Sequence, residues 1–202
     1  HVTGTLDLDF TTARGVIQTQ NSRFEERIDC EQTECKQLDL SGSDLQGLFG
    51  QALKVTGTVF LRNITTQATI ALNGATIGGQ LNCYKVVFKV KNGHALNAQD
   101  ANVTSTVFLD EITTQATVDL NGATIGGHLS CTGAVFEVEN GHALNAQSAK
   151  IKGGLFWHGV TVTNGTLYFA NAYTSVLTDD ESSWPSGGQV ALNGMTYDTI
   201  IG

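Results

Sequence analysis

The chain has 202 residues, of which 41% are hydrophobic and 15% charged, and its formal net charge is −8. The hydrophobic fraction is large enough to fill a core, which excludes a disordered chain. The acidic balance without any run of Lys and Arg argues against nucleic-acid binding, and no segment reaches the roughly 18 apolar residues of a membrane span.

The first predicted segment is an N-terminal cap, residues 1–27. Leu6, Leu8 and Phe10 alternate with polar residues and predict one strand, whereas residues 24–34 are charged and irregular. Beyond this cap, Cys30 and Cys35 lie five residues apart and could form a disulfide. Such a bond would imply an oxidising compartment, in agreement with an extracellular or cell-envelope location.

A 48-residue repeat occupies the middle of the chain. Residues 59–106 and 107–154 are identical at 31 of 48 positions without a gap. Residues 59–79 recur as residues 107–127, and the segment NGHALNAQ that begins at Asn92 recurs at Asn140. A period of this length is typical of a solenoid built from stacked coils.

Apolar residues within each repeat come as pairs separated by one position, which is the period of a short strand with one buried face. Eight pairs predict two coils of four sides, a 22-residue coil and a 26-residue coil, and the longer coil holds a four-residue insertion. In the second repeat, the residues predicted to face the core are Val107, Leu109, Ile112, Thr114, Val118, Leu120, Ala123, Ile125, Leu129, Cys131, Ala134, Phe136, Leu144, Ala146, Ala149 and Ile151.

Glycine-containing pairs predict the corners of these coils. Asn-Gly at residues 73–74 and 121–122, and Gly-Gly at 78–79 and 126–127, would supply backbone positions with positive φ. An Asn-Gly pair could instead mark a β-hairpin. Hairpins have no reason to keep a gapless 48-residue period, whereas stacked coils do, so the solenoid is the better interpretation.

The pattern AxIxGxLxCxGAxF followed by GxALNAxxAxI resembles the repeat of a bacterial family of right-handed, four-sided β-helix proteins related to pentapeptide-repeat proteins. The resemblance covers roughly residues 28–172, and the ending Trp184-Pro185 with residues 192–200 resembles that family's C-terminal segment. Members are often labelled membrane-associated oxidoreductases. The sequence has no glycine-rich dinucleotide fingerprint, CxxC or haem-attachment motif, so no cofactor is expected.

The expected fold is therefore an all-β, right-handed, four-sided β-solenoid with a 48-residue double-coil repeat and irregular terminal caps. Residues 1–27 form the N-terminal cap, residues 28–172 the solenoid, and residues 173–202 a C-terminal loop and capping partial coil. About eight coils would make a rod roughly 40 Å long. Met195 and Tyr197 fall where the interior coils have Ala and Ile, which predicts a plug over the end of the core.

Cysteine and histidine recur at the repeat period. Cys35, Cys83 and Cys131 would lie two coils apart, roughly 9 to 10 Å, which is beyond the about 7 Å Cα limit of a disulfide, so buried free thiols are expected. His94 and His142 would be separated by a similar distance and cannot share one metal ion. The acidic run at residues 179–181 could hold calcium, but it lacks the EF-hand spacing and is more simply a solvated loop.

Charge distinguishes the two repeats. Residues 59–106 carry a net charge of +3 and residues 107–154 a net charge of −3. Lys89 and Lys91 in the first insertion become Glu137 and Glu139 in the second. Because insertions at a corner should project from a regular rod, the predicted binding residues are Lys89, Lys91, Asn92, His94, Glu137, Glu139, Asn140 and His142.

The expected function is that of a non-enzymatic structural or interaction module, which presents a rigid side face and the insertion ridge to a protein or glycan partner. A glycan-active β-helix enzyme is one alternative and would need carboxylates that converge on one face. A DNA-mimicking, pentapeptide-like inhibitor is another, and would need a continuous negative stripe, which the positive repeat interrupts. End-to-end or side-by-side self-association stays open. Ice binding is disfavoured because no ladder of threonines is sustained.

Overall fold

The computed structural model describes residues 1–185 and 189–202 and confirms the expected all-β solenoid. The chain makes about nine turns, and its strands stack in parallel into two sheets of 13 and 14 strands. At about 4.8 Å per turn the rod is roughly 43 Å long, one turn longer than expected. The helical segment that the structure describes is one 3₁₀ turn, Glu181–Ser183, and no described helix is long and apolar enough to span a membrane.

Most of the strands are two or three residues long, because each turn must bend at closely spaced corners. In chain order they are Leu6–Asp7 (β1), Val16–Gln18 (β2), Ile28–Asp29 (β3), Glu34–Cys35 (β4), Gln37–Asp39 (β5), Asp44–Leu45 (β6), Leu48–Phe49 (β7), Lys54–Val55 (β8), Val59–Phe60 (β9), Thr65–Thr66 (β10), Ile70–Ala71 (β11), Thr76–Ile77 (β12), Leu81–Asn82 (β13), Val87–Phe88 (β14), His94–Asn97 (β15), Asn102–Val103 (β16), Val107–Phe108 (β17), Thr113–Thr114 (β18), Thr117–Asp119 (β19), Thr124–Ile125 (β20), Leu129–Ser130 (β21), Val135–Asn145 (β22), Lys150–Trp157 (β23), Thr161–Tyr168 (β24), Tyr173–Asp179 (β25), Val190–Ala191 (β26) and Thr196–Ile201 (β27).

Each interior turn contributes four strand positions, two to each sheet, and equivalent strands stack in four rows. Row 1 contains β6, β10, β14, β18 and the starts of β22 and β24. Row 2 contains β1, β3, β7, β11, β15, β19, the ends of β22 and β24, and β26. Row 3 contains β4, β8, β12, β16, β20 and the starts of β23, β25 and β27. Row 4 contains β2, β5, β9, β13, β17, β21 and the ends of β23, β25 and β27.

The pairing register shows where the turns differ in length. In row 4, the step from Val59 to its partner Leu81 is four positions shorter than the step from Leu81 to its partner Val107. The same short and long steps follow from Val107 to Leu129 and from Leu129 to Leu155, as the predicted alternation of coil lengths requires. The extra residues lie between rows 1 and 2, where the pairing register aligns residues 89–95 and 137–143 with the three-residue connections 67–69 and 115–117 of the short turns.

The core is the continuous interior of the rod. All sixteen residues that the alternation in the second repeat assigns to the core are buried, with exposed fractions of at most 1%. Thr114 is the one hydroxyl among them. Its Oγ1 donates to the carbonyl of Ala116 at 2.8 Å and accepts from the Ala116 N–H at 3.0 Å, so its polar group is satisfied inside the corner.

The glycine corners are of two kinds. Gly74 and Gly122 have φ of +66° and +69°, as the Asn-Gly pairs predict. Gly78 and Gly126 are not in the left-handed region, which corrects the expectation for the Gly-Gly pairs. A Cβ on Gly126 would overlap the carbonyl oxygen of Thr104 in the preceding turn, so glycine is required there by close contact between successive backbones.

The N-terminal residues differ from the irregular cap that was expected. Leu6 pairs with Ile28 and Val16 with Gln37, and isolated bridges join Val2 to Phe24 and Thr12 to Glu34, so residues 2–18 form a first turn in register with the second. At the other end β26 and β27 make the predicted partial coil. Of the C-terminal loop and capping coil predicted for residues 173–202, residues 186–188 lie outside the described part of the chain.

The position of Cys35 also corrects the sequence analysis. Cys35 pairs with Val55 in row 3, whereas Cys83 follows row 4 directly and has Leu61 and Leu40 as its counterparts in the two preceding turns. The cause is turn length, because the step from Glu34 to its partner Lys54 is two positions shorter than the step from Lys54 to Thr76. Near the N-terminus, residues that are 48 positions apart therefore fall in different rows.

Candidate functional site

The predicted binding residues lie in the two insertions between rows 1 and 2. In both insertions an Asn-Gly turn carries the chain through a left-handed position, with φ of +75° at Gly93 and +88° at Gly141. The residues before these turns, Lys89 and Lys91 in one insertion and Glu137 and Glu139 in the other, are exposed. The same turn therefore presents opposite charges in the two insertions.

Each insertion is fixed to the rod by the same contacts. Thr69 Oγ1 donates to the carbonyl of His94 at 2.6 Å, and Thr117 Oγ1 donates to the carbonyl of His142 at 2.7 Å. A valine inside each insertion also packs inward, since Val138 is buried and its counterpart Val90 is partly buried against the core. The insertions are therefore anchored loops whose polar residues face outward.

The second insertion has the more extensive strand pairing of the two. It is part of one continuous strand, β22, because the next turn runs alongside it, with Glu137 paired to Asn164 and His142 paired to Thr166. Gly165 has a φ of +86°, and a Cβ there would lie 3.1 Å from the backbone nitrogen of Ala143. The first insertion separates two strands, β14 and β15, instead of forming a continuous one.

A polar notch lies between the two insertions. It is lined by Lys91 and Asn92 on one lip, Glu137 and Glu139 on the other, and Gln115 of the intervening short corner at its base, with a volume of about 260 Å³. It adjoins a smaller pocket of about 70 Å³ that reaches Gly93, Thr117 and Asn140. We call this depression the notch, with a basic lip (residues 89–92) and an acidic lip (residues 137–140).

The charges on the two lips of the notch are not neutralised by ion pairs within the described part of the chain. Gln115 Nε2 donates to Glu137 Oε2 at 3.2 Å and holds that carboxylate over the base of the notch. Across residues 1–185 and 189–202, no ion pair involves Lys89, Lys91, Glu137 or Glu139. The notch thus offers a cationic and an anionic group on opposite sides of one polar depression.

The two predicted histidines do not line the notch and do not converge. His94 pairs with Thr117, and Thr117 contacts His142, so the turn that contains Thr117 lies between the two histidines. His94 Nδ1 lies 3.7 Å from Asp119 Oδ2, whereas the ring of His142 packs on Tyr168 with centroids 4.9 Å apart. The two histidines occupy equivalent positions in the repeat but have different surroundings.

Asp119 is a buried carboxylate that the sequence analysis did not single out. It accepts hydrogen bonds from Gln99 Nε2 at 2.8 Å, the Asn121 N–H at 2.9 Å and Asn145 Nδ2 at 3.1 Å. These contacts link three successive turns beside the insertions. The network compensates the burial of the charge and stabilises the backbone under the notch.

Gln115 is the notch residue that the sequence analysis missed. Its polar side chain lies in a short corner, which alone gives no functional signal. The order of turns could have identified it, because the corner 115–117 must lie between the insertions 89–95 and 137–143 if the coils stack in sequence.

The cysteines give no sign of a reactive site. All four are buried, unbonded thiols, so the structure does not contain the Cys30–Cys35 disulfide that the spacing allowed. Burial raises the pKa of the Cys30 and Cys83 thiols to about 12, and it raises the pKa of Cys131 as well. A thiol with a raised pKa forms little of the nucleophilic thiolate near neutral pH.

The acidic run near the C-terminus is a structural anchor. Asp180 accepts hydrogen bonds from the Ser182 and Ser183 hydroxyls, each at 2.7 Å, and from the Gly159 N–H at 2.8 Å. The Ser182 hydroxyl and then the Gly159 N–H hold the pKa of Asp180 well below its usual range. Asp180 therefore ties the C-terminal loop to the preceding turn.

Nothing in the described part of the chain groups three or more His, Cys, Asp or Glu side chains so that they could hold a metal ion. No protein-family model matches the chain, and no curated protein matches it significantly.

Proposed function

We propose that the protein is a non-enzymatic binding module that holds a polypeptide segment of a partner protein in the notch. The observation that supports this proposal is the pairing of a basic and an acidic lip around one polar depression. The segment that fits best carries an acidic residue and a basic residue close together, the acidic one facing Lys91 and the basic one facing Glu139.

The scaffold favours binding because the lips are already ordered. Thr69 and Thr117 fix the two insertions, and Val138 anchors the acidic lip in the core. A preformed site loses less conformational entropy on binding than a flexible loop would. Exposed charges contribute mainly to specificity and association rate, so the affinity should fall as salt concentration rises.

A glycan is the second candidate ligand, because Asn92, Gln115 and Asn140 could hydrogen-bond to hydroxyl groups. The residues that line the notch include no aromatic ring on which a sugar could stack. Glu137 and Glu139 belong to one strand, two residues apart and both exposed, whereas a glycosidase places its two carboxylates on either side of the scissile bond. The lining therefore favours a peptide over a glycan and binding over catalysis.

The test is a selection of short displayed peptides on the wild-type protein, followed by titration of the enriched peptides against notch variants. Lys91→Glu places a carboxylate where the acidic residue of the segment would bind, and Glu139→Lys places an ammonium where its basic residue would bind, so each variant should lose at least about tenfold in affinity, or about 1.4 kcal/mol. The double variant Lys91→Glu with Glu139→Lys exchanges the charges at the two positions that would face the charged residues of the segment. It should select peptides whose charge order is reversed.

Lys150→Glu is the matched control, because Lys150 is an exposed lysine in row 3, away from the notch. It should bind the selected peptides as the wild type does. All of these surface variants should change the free energy of unfolding by less than about 0.5 kcal/mol. Enriched peptides without mixed charge, or peptides that bind all variants equally, would reject the proposal, and selective binding to a glycan array would replace it with a glycan site.

Point variants are better probes than deletion of the insertions. A deletion would replace both insertions with short corners such as residues 67–69. The structure places Val138 in the core, so replacing residues 137–143 with a three-residue corner also removes a buried side chain. That loss should cost about 1–3 kcal/mol, which would confuse a change in binding with a change in folding.

We also propose that the chain is a distant relative of the right-handed, four-sided β-helix proteins related to pentapeptide-repeat proteins. Four short strands per turn and left-handed corner residues support this relationship, while the alternation of short and long turns differs from the uniform turns of strict pentapeptide repeats. A crystal structure with square, right-handed turns would support the relationship, and left-handed or triangular turns would exclude it.

A further inference from the structure

Exposed apolar side chains are concentrated at the two ends of the rod. Within the described residues, seven large apolar side chains are exposed, and Val87 is the one that lies in an interior turn of the rod. The other six belong to the first or the last turn: Phe10, Val16, Leu192, Tyr197, Ile200 and Ile201. Exposed apolar surface on a folded protein commonly marks an interaction site.

The C-terminal end face continues the core into solvent. Leu192, Tyr197 and Ile200 are between 46% and 54% exposed, although their counterparts one turn earlier are largely buried. Together with Leu177, Trp184, Met195 and one carboxylate, Asp179, they line a mainly apolar depression of about 230 Å³. Trp184 packs on Trp157 with ring centroids 5.7 Å apart, whereas Met195 and Tyr197, which were predicted to plug the end of the core, line this rim and leave it open.

The N-terminal end face presents the opposite side of the same stack. Leu6, Leu8, Ala13 and Ile17 are partly buried and pack against the core of the second turn. They occupy the same ladders as the exposed C-terminal residues, where a ladder is the set of residues at one position of successive turns. Ile17 begins the ladder that ends at Ile200, since Ile17 pairs with Leu38 and Leu177 with Ile200.

Side-chain sizes at the two ends are complementary. The ladder that ends in the large ring of Tyr197 begins with Ala13, the smallest side chain on the N-terminal face. A second copy continued in register would therefore place a small residue opposite a bulky one. In the interior of the rod this ladder holds medium-sized residues such as Val55 and Ile77.

The backbone hydrogen bonds at the two ends are complementary as well. After row 2, each turn donates to the next, as in Leu8 N–H to the Asp29 carbonyl and Phe169 N–H to the Ala191 carbonyl. Continued by one turn, this pattern places the Leu192 N–H opposite the Asp7 carbonyl of another copy. Before row 3 the backbone N–H groups donate to the preceding turn instead, as the Thr196 N–H does to the Ala172 carbonyl. The Thr12 N–H of another copy would therefore meet the Met195 carbonyl.

We infer that the C-terminal end face, residues 190–201, docks on the N-terminal end face, residues 2–18, of a second copy of this chain. The docking extends both parallel sheets across the interface and buries the exposed apolar rim. The interface is heterologous, so each added copy exposes a new end face and the association is open-ended. It uses none of the notch residues, which stay accessible on the side of the rod.

The first experiment is analytical ultracentrifugation of the full chain over a series of concentrations. The average mass should rise beyond that of a dimer as concentration increases. Ile200→Lys places a charge in the apolar rim and should weaken association at least tenfold. Val87→Lys makes the same kind of change at an exposed apolar residue on the side of the rod and should leave association unchanged.

The second experiment separates head-to-tail docking from other geometries. Ala13→Arg blocks the N-terminal face and Ile200→Lys the C-terminal face, so each variant should be monomeric alone, while an equimolar mixture should form dimers and nothing larger. Thermal midpoints close to that of the wild type show that both variants are folded. A monomeric wild type, a monomeric mixture, or dimers of Ala13→Arg alone, which would mean tail-to-tail pairing, would each overturn the inference.

Discussion

The two copies of the 48-residue repeat, residues 59–106 and 107–154, have matching interiors and opposite exteriors. Core residues such as Cys83 and Cys131, or Phe88 and Phe136, are buried to nearly the same extent in both copies. At the surface, Lys91 of the first copy corresponds to Glu139 of the second. Inside the rod each residue must fill a fixed volume, whereas charges at the surface can reverse without disturbing the packing.

The two insertions show how neighbours modify equal sequences. Both contain Asn-Gly-His, yet only the second is a continuous strand, because residues 164–166 of the next turn pair with it. The turn after the first insertion has the short corner 115–117 instead, and this corner leaves the space that becomes the notch. Alternation of long and short corners, more than the insertions themselves, creates the candidate site.

The largest change in stability is expected from Phe88 and Phe136, which occupy equivalent core positions in the two repeats. Phe136→Ala should reduce the free energy of unfolding by about 3–5 kcal/mol, because it leaves a cavity in a core that cannot collapse around it. Phe88→Ala should give a loss in the same range. Phe136 also stacks on Trp157 at 6.1 Å, so its loss should be the greater of the two.

Urea unfolding followed by circular dichroism measures both losses. A loss below about 1 kcal/mol for either variant would contradict the assignment of that phenylalanine to the core.

A smaller effect is expected at the glycine corners, where Gly78 and Gly126 should behave alike in the two repeats. Gly78→Ala and Gly126→Ala force a Cβ against a backbone carbonyl and should each cost about 3 kcal/mol. Gly74→Ala has open space for its Cβ and should lose only the cost of a left-handed φ, about 1–2 kcal/mol. Thermal unfolding of the three variants measures the order of these stability losses. A larger loss for Gly74→Ala would mean that the left-handed φ, and not the contact of a Cβ with a carbonyl, determines the cost of replacing these glycines.

The smallest effect should come from the hydroxyls that fix the insertions. Thr69→Val and Thr117→Val each remove one hydrogen bond to a histidine carbonyl and should cost about 0.5–1.5 kcal/mol. Thr113→Val is a matched control, because valine already occupies its ladder at Val87 and Val135, and it should be nearly neutral. Unfolding midpoints measure all three, and losses equal to that of the control would show that the insertions are held by other contacts.

Much of the fold followed from the sequence because packing in a solenoid is local and periodic. The two-residue alternation identified the sixteen core residues of the second repeat, and the Asn-Gly pairs identified the left-handed corners at Gly74 and Gly122. The 48-residue period also revealed which turns carry the insertions. These features depend on residues near one another in the chain or separated by one constant interval.

The tertiary structure decided what depends on turn length and on contacts between turns. Cys35 left the predicted ladder because the first turns are shorter than the repeat implies, and the reason for Gly126 became clear only from the approach of Thr104. Gln115 joined the candidate site because stacking places its short corner between two insertions that are distant in sequence. Periodicity specifies which side chains point inward, but the distance between turns specifies which side chains meet.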